Sequence, residues 1–583
     1  MSAGEIRTLI DALRLRSAKQ PDDVAYAHLP DGEGIGATMT YAELDEAARA
    51  AAASFTALGP GNVLLLYPSG LDFVRALFGC LYIGLTPAPV QVPRSRQSVG
   101  RLRRIARDAA ATTVLTTAAV RDDLEERFGD LLSGLTLIAT DAPGGVPVGA
   151  PTPSELPHAG DTALLQYTSG STGDPKGVMV THANFVSNLV ETDEVWPVET
   201  DGAVVSWLPL FHDMGLVFGV LFPLWAGVPA YLMPPEAFIR RPGRWLEAIS
   251  RFRGTHAAAP SFAYDLCVRA AAEGRISRVC DLSRWRVAAN GAEPVRFRTI
   301  ERFAETFAPY GFRREAMCPG YGLAENTLRA TGVPPDRAPE VLRLSEQALG
   351  EGRADIVGAA AEGAKPLVSS GVPARSTRIR IADPRTLAEC PPGRIGEIWI
   401  DGPCVASGYL GRPGLSEQTF RARIHGEPHG QTHLRTGDLG FLHEGELYVT
   451  GRVKDVIIRN GRNYYPQDIE LSAESAVPGL RPNCAAAFSV DDGTQEQLVV
   501  VVEADGRVLR AYGERSLRER VHDVVHENHR LMADDIVVVR RGAIPKTTSG
   551  KVQRRACRNR YEAGELALPA PALGAPGPGS DRD

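Results

Sequence analysis

The densest concentration of chemically capable side chains is the run YTSGSTGDPKG at residues 167–177. The hydroxyls of Thr168, Ser169, Ser171 and Thr172 are interleaved with Gly170, Gly173 and Gly177, and Lys176 supplies one cation. Glycine lets the backbone turn so that successive N–H groups converge on an anion, and the hydroxyls and ammonium complete a polyphosphate cradle. This is not a Walker A loop. The G-x-x-x-x-G-K-[ST] spacing fails, and residues 178–181 read as a strand where that motif requires a helix. A flexible linker would need neither the lysine nor the strand-forming flanks.

Other groups of reactive side chains carry less. His522, His526 and His529 share a helical face, and His425, His429 and His433 recur every four residues. The first set lacks an acidic or cysteine fourth ligand at matching spacing, and the second lies in HGEPHGQTH, which cannot keep helical phase. Both read as structural or surface histidines. No G-x-S-x-G occurs, which disfavours a serine hydrolase. Residues 215–235 (GLVFGVLFPLWAGVPAYLMPP) contain no charge. Pro223 and Pro229 near the middle, and flanking Asp213 and Glu236 without a Lys/Arg cluster, favour a buried helix–strand pair over a membrane span.

The elements that must hold these residues alternate. Residues 62–67 (NVLLLY) read as a strand, 71–83 as a helix and 86–92 as extended again, with further strands at 113–117, 163–167 and 204–208. Repeated strand–helix–strand units imply an α/β fold with a largely parallel sheet and helices on both faces. From about Pro334 to Lys365 the chain is Ala-, Gly- and Glu-rich with few strong β-formers, and reads as an insertion or long surface excursion. Residues 378–381 and 395–400 are short strands of a β-rich portion. After Gly451-Arg452 a compact α+β unit of about 110 residues follows, with strands at 484–490, 498–503 and 536–539 and a helix at 515–529. The expected division is a large domain over 1–452, a small domain over 453–565 and a disordered Pro/Gly/Ala tail over 566–583.

The 583 residues suit several structural units, and 44% hydrophobic with 23% charged residues is the composition of a folded enzyme. A net charge of −6 offers no basic field for nucleic acid. Eight cysteines without a C-x-x-C pair point to a reducing cytoplasm rather than a disulfide framework. The N-terminal residues are charged throughout and lack the apolar core of a secretory signal.

The cradle is one of seven segments that together resemble the adenylate-forming (ANL, AMP-binding) superfamily. In order they are YTSGSTGDPKG; LPLFHDMG at 208–215; NGAEP at 290–294; YGLAE at 321–325; RTGD at 435–438; GRVKD at 451–455; and KTTSGK at 546–551. Within it, LPLFHDMGL, PSFAYDLCVR and the stretch 435–470 look most like fatty acyl-AMP ligases, and the excursion at 327–371 sits where those enzymes carry an insertion. The resemblance implies a large adenylation domain of sheets sandwiched with helices plus a β-rich portion, and a small mobile C-terminal domain. ATP and Mg²⁺ are the implied cofactors. Tyr321, with Gly322, would stack on adenine, and Gly291, Ala292, Glu293 and Pro294 would line the base's other side. Glu325 would hold Mg²⁺. Asp438, with two acceptor oxygens, would take both ribose hydroxyls, beside Arg452.

Lys551 is the implied catalytic ammonium, stabilising charge as a carboxylate attacks the α-phosphate. Lys454 is the implied hinge, and Arg554, Arg555, Arg558 and Arg560 read as a solvated basic stretch. His212 and Asp213 would open the acyl site, with His212 counted among the catalytic residues. Met214, Leu216, Phe218, Trp225 and Phe262 would form its chain-binding wall. The expected reaction activates a fatty acid to acyl-adenylate and pyrophosphate. It then transfers the acyl group to the phosphopantetheine thiol of a separate acyl carrier protein or the carrier domain of a polyketide or peptide synthase. The near alternative is a fatty acyl-CoA synthetase using free coenzyme A.

Overall fold

The computed structural model describes residues 6–142, 156–168, 175–427, 430–459, 462–481, 483–491, 496–547 and 551–566. The chain divides into two compact units, Met1–Lys454 and Asp455–Asp583.

Two sheets of the large unit are built as the strand–helix–strand alternation requires. In a four-stranded sheet, Thr86–Pro89, Asn62–Leu65, Thr113–Thr116 and Thr136–Ala139 lie side by side, all parallel. Helices Leu71–Tyr82, Arg96–Asp108 and Ala118–Phe128 make the crossovers. In a nine-stranded sheet, five neighbouring strands from Val287–Asn290 through His256–Ala259, Val204–Ser206 and Ala230–Leu232 to Val24–His28 are parallel. Their sequences HAAA, VAAN and VVS are buried at every position, the pattern of strands covered on both faces.

The largely parallel expectation fails in several places, among them the outer strands of the nine-stranded sheet, where Ala37–Thr40 and Arg329–Gly332 pair antiparallel with their neighbours. Strands Thr162–Thr168 and Lys176–Thr181 pair antiparallel. The seven residues between them are too few for a parallel crossover, which takes about a dozen. The β-rich portion is likewise an antiparallel sheet, ordered Arg378–Ala382, Gly396–Asp401, Leu434–His443, Glu446–Arg452.

The excursion is more structured than its composition suggests. It forms strand Arg329–Gly332, a hairpin-like pair Val341–Ser345 and Ala364–Val368, and a short helix Glu346–Gly350. Alternating burial in VLRLS puts Leu342 and Leu344 inward, a half-buried strand signal that surrounding Ala and Gly obscured. The uncharged segment is a helical run, Asp213–Leu216, Val217–Leu221 and Phe222–Ala226, followed by strand Ala230–Leu232. Its middle part is a π-helix, in which the Phe222 N–H bonds the Val217 carbonyl. Pro223, which has no N–H to donate, follows at once, so the ladder is broken where the wider turn sits. Among the described residues no helix is long and apolar enough to cross a membrane.

The small unit centres on a three-stranded sheet, Ala485–Asp491, Glu496–Ala504, Asp535–Arg540. Val500 and Val502 face helix residues Leu517, Val521 and Val525, while Val499 and Val501 pack with Val537, Val539 and Cys557 on the other side. The continuous LVVVV run is thus explained by burial on both faces. Leu566, placed in the tail by the sequence, is buried in this second cluster, and residues 567–583 lie outside the described residues. All eight cysteines are free; seven are buried and Cys390 is partly exposed.

Candidate active site

Thr168 ends one strand of the antiparallel hairpin and Lys176 begins the other, and the two are Cα partners. Ser169, Gly170, Ser171, Thr172 and Gly173 lie outside the described residues. The base of the loop is braced by Asp108 and Arg412, which belong to no motif. The Tyr167 hydroxyl donates to Asp108 Oδ2 (2.9 Å), and Arg412 Nη2 donates to Asp108 Oδ1 (2.9 Å) and to the Pro175 carbonyl (3.2 Å). A Cβ at Gly177 would lie 3.0 Å from the Tyr167 ring, so the glycine leaves room for that ring. Burial lowers the Lys176 ammonium's pKa, aided by Lys454 and opposed by Glu325.

Glu325 occupies the turn Ala324–Asn326. Its Oε1 accepts from the Tyr409 hydroxyl (2.7 Å), and its carbonyl accepts from Ala406 N–H (3.0 Å). Burial raises the carboxyl's pKa, with the Tyr409 hydrogen bond opposing and Asp213 adding to the rise. The turn is fixed from below. Asn188 Nδ2 and Asn326 Nδ2 both donate to the Arg329 carbonyl (2.9 and 3.0 Å), and Thr327 Oγ1 donates to the Cys404 carbonyl (2.7 Å). Thr327 has φ +63°, a costly conformation for a β-branched residue, held here beside the candidate metal carboxylate.

Tyr321 is the next-to-last residue of the neighbouring strand Met317–Gly322, and its hydroxyl donates to Asp438 Oδ2 (2.8 Å). Arg452 Nε donates to the other oxygen, Oδ1 (2.7 Å), and Asp438 and Arg452 are Cα partners across adjacent strands. Burial and the Asp438 charge hold the Tyr321 phenol well above its ordinary range. Each carboxylate oxygen accepts more than one hydrogen bond, so both remain able to receive a sugar hydroxyl. Gly291 follows strand Val287–Asn290, where a Cβ would come 2.7 Å from the Gly320 carbonyl; Ala292 has φ +66°. Glu293 Oε1 accepts from Phe262 N–H (2.7 Å) and so caps helix Ser261–Ala272, joining the segment 291–294 to the Phe262 helix.

His212 caps the helix that begins at Asp213, its Nδ1 accepting from Met214 N–H (3.4 Å) and lying 2.6 Å from Asp213 Oδ1. Gln166 Nε2 donates to the Phe211 carbonyl (3.0 Å), tying this loop to the hairpin strand that carries Thr168. Of the proposed wall, Met214 and Phe262 are half-buried. Leu216, Phe218 and Trp225 are buried in the core. Phe218 packs on Trp196 and Phe222, and the Trp225 carbonyl accepts from Arg16 of helix Leu9–Lys19.

In the small unit, Lys551 is hydrogen-bonded back to Thr547. Thr547 N–H donates to the Lys551 carbonyl (2.7 Å), Lys551 N–H to Thr547 Oγ1 (3.0 Å), and Gln553 N–H to the Pro545 carbonyl (2.9 Å). Three residues on, Arg554 departs from the solvated-stretch expectation. Its Nε and Nη2 bond Glu470 Oε1 and Oε2 (2.6 and 2.8 Å), and Nη1 bonds Asp455 Oδ2 (2.9 Å). Its partners lie far off in sequence, so a basic run concealed an ion pair to the buried Glu470. Arg560 also turns inward, to the Ala543 carbonyl (3.1 Å), whereas Arg558 pairs with Glu562 one helical turn away.

The histidines have ordinary partners. His433 Nε2 pairs with Glu427 (2.9 Å), His529 Nε2 with Ser472 Oγ (2.8 Å), and His522 stacks on His526; His429 lies outside the described residues. Among the described residues, no group of three or more His, Cys, Asp or Glu could hold a metal alone. A hard cation such as Mg²⁺ binds through one or two carboxylates plus substrate phosphates and water. The Glu325 carboxylate, in the same unit as the phosphate hairpin, fits that donor set.

The hairpin strands that flank the hydroxyl- and glycine-rich run, a turn-held carboxylate and a Tyr–Asp–Arg cluster lie in one α/β unit, the kinds of group a nucleotide-binding site needs. Comparison with known proteins agrees. The AMP-binding enzyme family model matches residues 13–410, and a model for the Disco-interacting protein 2-like AMP domain matches residues 454–570. The medium-chain-fatty-acid--[acyl-carrier-protein] ligase JamA of Moorena producens is 42% identical, over 97% of this chain and 97% of that protein. The long-chain-fatty-acid--AMP ligase FadD26 of Mycobacterium marinum is 36% identical over 96% and 97%. A fatty acyl-adenylate ligase from L. pneumophila, solved in complex with acyl adenylate and pyrophosphate, is 37% identical with a TM-score of 0.73, covering 96% and 97%. The chain belongs to the AMP-binding enzyme family.

Proposed function

We propose that this protein is a fatty acyl-AMP ligase that uses Mg·ATP to activate a fatty acid and hands the acyl group to the phosphopantetheine thiol of an acyl carrier protein. The observation that carries the reading is the gathering of Lys176, Glu325, Tyr321, Asp438 and Arg452 in one unit, each held by named hydrogen bonds or strand register. The full-length likeness to a relative named as an acyl-carrier-protein ligase supports the acceptor.

In the first step a carboxylate oxygen of the acid attacks the α-phosphorus of ATP. The bond to the β,γ-diphosphate breaks, and pyrophosphate leaves. Thr168, the loop that follows it and Lys176 hold the leaving polyphosphate, and Mg²⁺ on Glu325 would neutralise part of its charge. Tyr321 and residues 291–294 bind the base, and Asp438 with Arg452 the ribose. His212, Asp213, Met214 and Phe262 receive the acid, backed by Leu216, Phe218 and Trp225. Lys551 stabilises charge at the α-phosphorus, an effect typically of about 10²–10³ in rate. In the second step the thiol, losing its proton, attacks the acyl carbon and AMP departs; Lys454 serves as the hinge between steps. Eight free cysteines suit a reducing cytoplasm.

Fatty acid-dependent exchange of labelled pyrophosphate into ATP, across acids of graded length, tests the first step. Exchange with none of them refutes the reading. Mass spectrometry of products with coenzyme A or carrier proteins tests the acceptor, and acyl-CoA as the dominant product would overturn the carrier assignment. Lys551→Ala should lose exchange yet still transfer from supplied acyl-AMP; equal loss of both would remove its role.

A further inference from the structure

Tyr409 belongs to no motif singled out from the sequence, yet it touches two of the candidate site residues. Strand Gly408–Tyr409 pairs with the hairpin strand Lys176–Thr181, setting Tyr409 opposite Val178. From there its hydroxyl donates to Glu325 Oε1 (2.7 Å), and the Lys176 Nζ sits over its ring, 5.1 Å from the centroid. The ring itself has little freedom. Tyr409 is 6% exposed, Phe420 packs edge-on against it (5.0 Å, 77°), and its N–H donates to Ser416 Oγ (2.9 Å). Three residues later Arg412 braces the loop through Asp108 and the Pro175 carbonyl. One short strand therefore anchors the phosphate hairpin and the Glu325 turn together.

We infer that Tyr409 is a positioning residue for the polyphosphate end of the site. Its ring sets the Lys176 ammonium through a cation–π contact, and its hydroxyl fixes the Glu325 carboxylate in one orientation. Core packing alone explains the ring but not the hydroxyl, whose acceptor is the carboxylate read as the cation's. The inference rests on the reading of Lys176 and Glu325 as Mg·ATP-handling groups.

The test compares the full-length enzyme with Tyr409→Phe, Glu325→Gln and the double variant. Phenylalanine keeps the contact with Phe420 and removes only the hydroxyl. Losing a hydrogen bond to a charged acceptor should weaken kcat/KM for Mg·ATP in pyrophosphate exchange by about 10- to 100-fold. Calorimetric affinity for AMP, which has no polyphosphate, should change by less than about threefold, and the melting temperature by a few degrees. On the Glu325→Gln background, Tyr409→Phe should add little, because the two act as one unit. Wild-type kinetics in the single variant, multiplying effects in the double, or an equal loss of AMP affinity would each overturn the inference. Lack of exchange by the wild type with every acid would count against the proposed function instead. Calorimetry with Mg·ATP then decides on Tyr409 by the same comparison of variants.

Discussion

Replacing Arg554 with methionine should open the small unit far more than an exposed arginine would. The guanidinium makes a two-pronged contact with Glu470 and a third bond to Asp455, and Glu470 also accepts from Ala487 N–H (3.1 Å) of the central sheet. Burial by itself would lower the guanidinium's pKa, and the two carboxylates more than reverse that. Glu470 is 5% exposed, so without Arg554 its charge stays in a poorly hydrated place. Breaking a buried pair from one side costs about 3–5 kcal/mol. That is a large part of the 5–15 kcal/mol a domain typically has. Native-state hydrogen exchange of the strand amides at 499–502 is the assay, since it reports the small unit's own opening free energy. The expected acceleration is about 10²–10⁴-fold, at 1.36 kcal/mol per decade. Pairing Arg554→Met with Glu470→Gln removes the stranded charge and should restore most of the protection. A single variant exchanging within about threefold of wild type refutes the reasoning, as does a double variant no better than the single.

Two further outcomes follow from buried groups of the large unit. Burial lowers His182 from 6.5 to about 4, against the pull of Asp161 and Asp11, and its Nδ1 accepts the Leu9 N–H (3.3 Å). Between those pH values the unfolded chain takes up the proton and the folded one does not, so stability falls as pH drops through the window. The loss is about 3 kcal/mol by pH 4. His182→Asn keeps an acceptor without the titration, so denaturation of both proteins from pH 7 to 4 should show the wild type losing ground; a constant difference refutes this. Phe218→Ala should cost about 3–5 kcal/mol of stability and leave the chain-length profile of the acids unchanged, whereas Met214→Ala should alter that profile with little stability loss. The reverse pattern in melting and exchange assays would exchange their roles.

What the sequence disclosed was whatever sits in one short run. The 167–177 run and the strands at 62–67, 113–117, 163–167, 204–208 and 484–503 were readable because glycine spacing and β-branched runs are local, whereas Tyr321 and Glu325 stood out only through the family resemblance. Tyr409, Asp108, Arg412 and Gln166 were not, because each matters only through pairing with a segment distant in the chain. Tyr409 meets Glu325 across 84 positions and Arg412 meets Asp108 across 304. Arg554 misled for the same reason: charge runs read as solvated until the fold supplies Glu470. The antiparallel turn of the hairpin was foreseeable from its seven-residue loop, had chain reach been weighed against the prevailing strand–helix–strand rhythm.

Seven of the eight thiols are shut inside the fold, which leaves Cys390 as the natural handle for a maleimide dye. It lies just before strand Gly396–Asp401, whose neighbour carries Asp438, so a label there would watch the ribose corner without any mutation. Burial and the nearby Asp383 keep this thiol's pKa above its ordinary value, so labelling should favour alkaline buffer, and native enzyme should take up a single dye per chain.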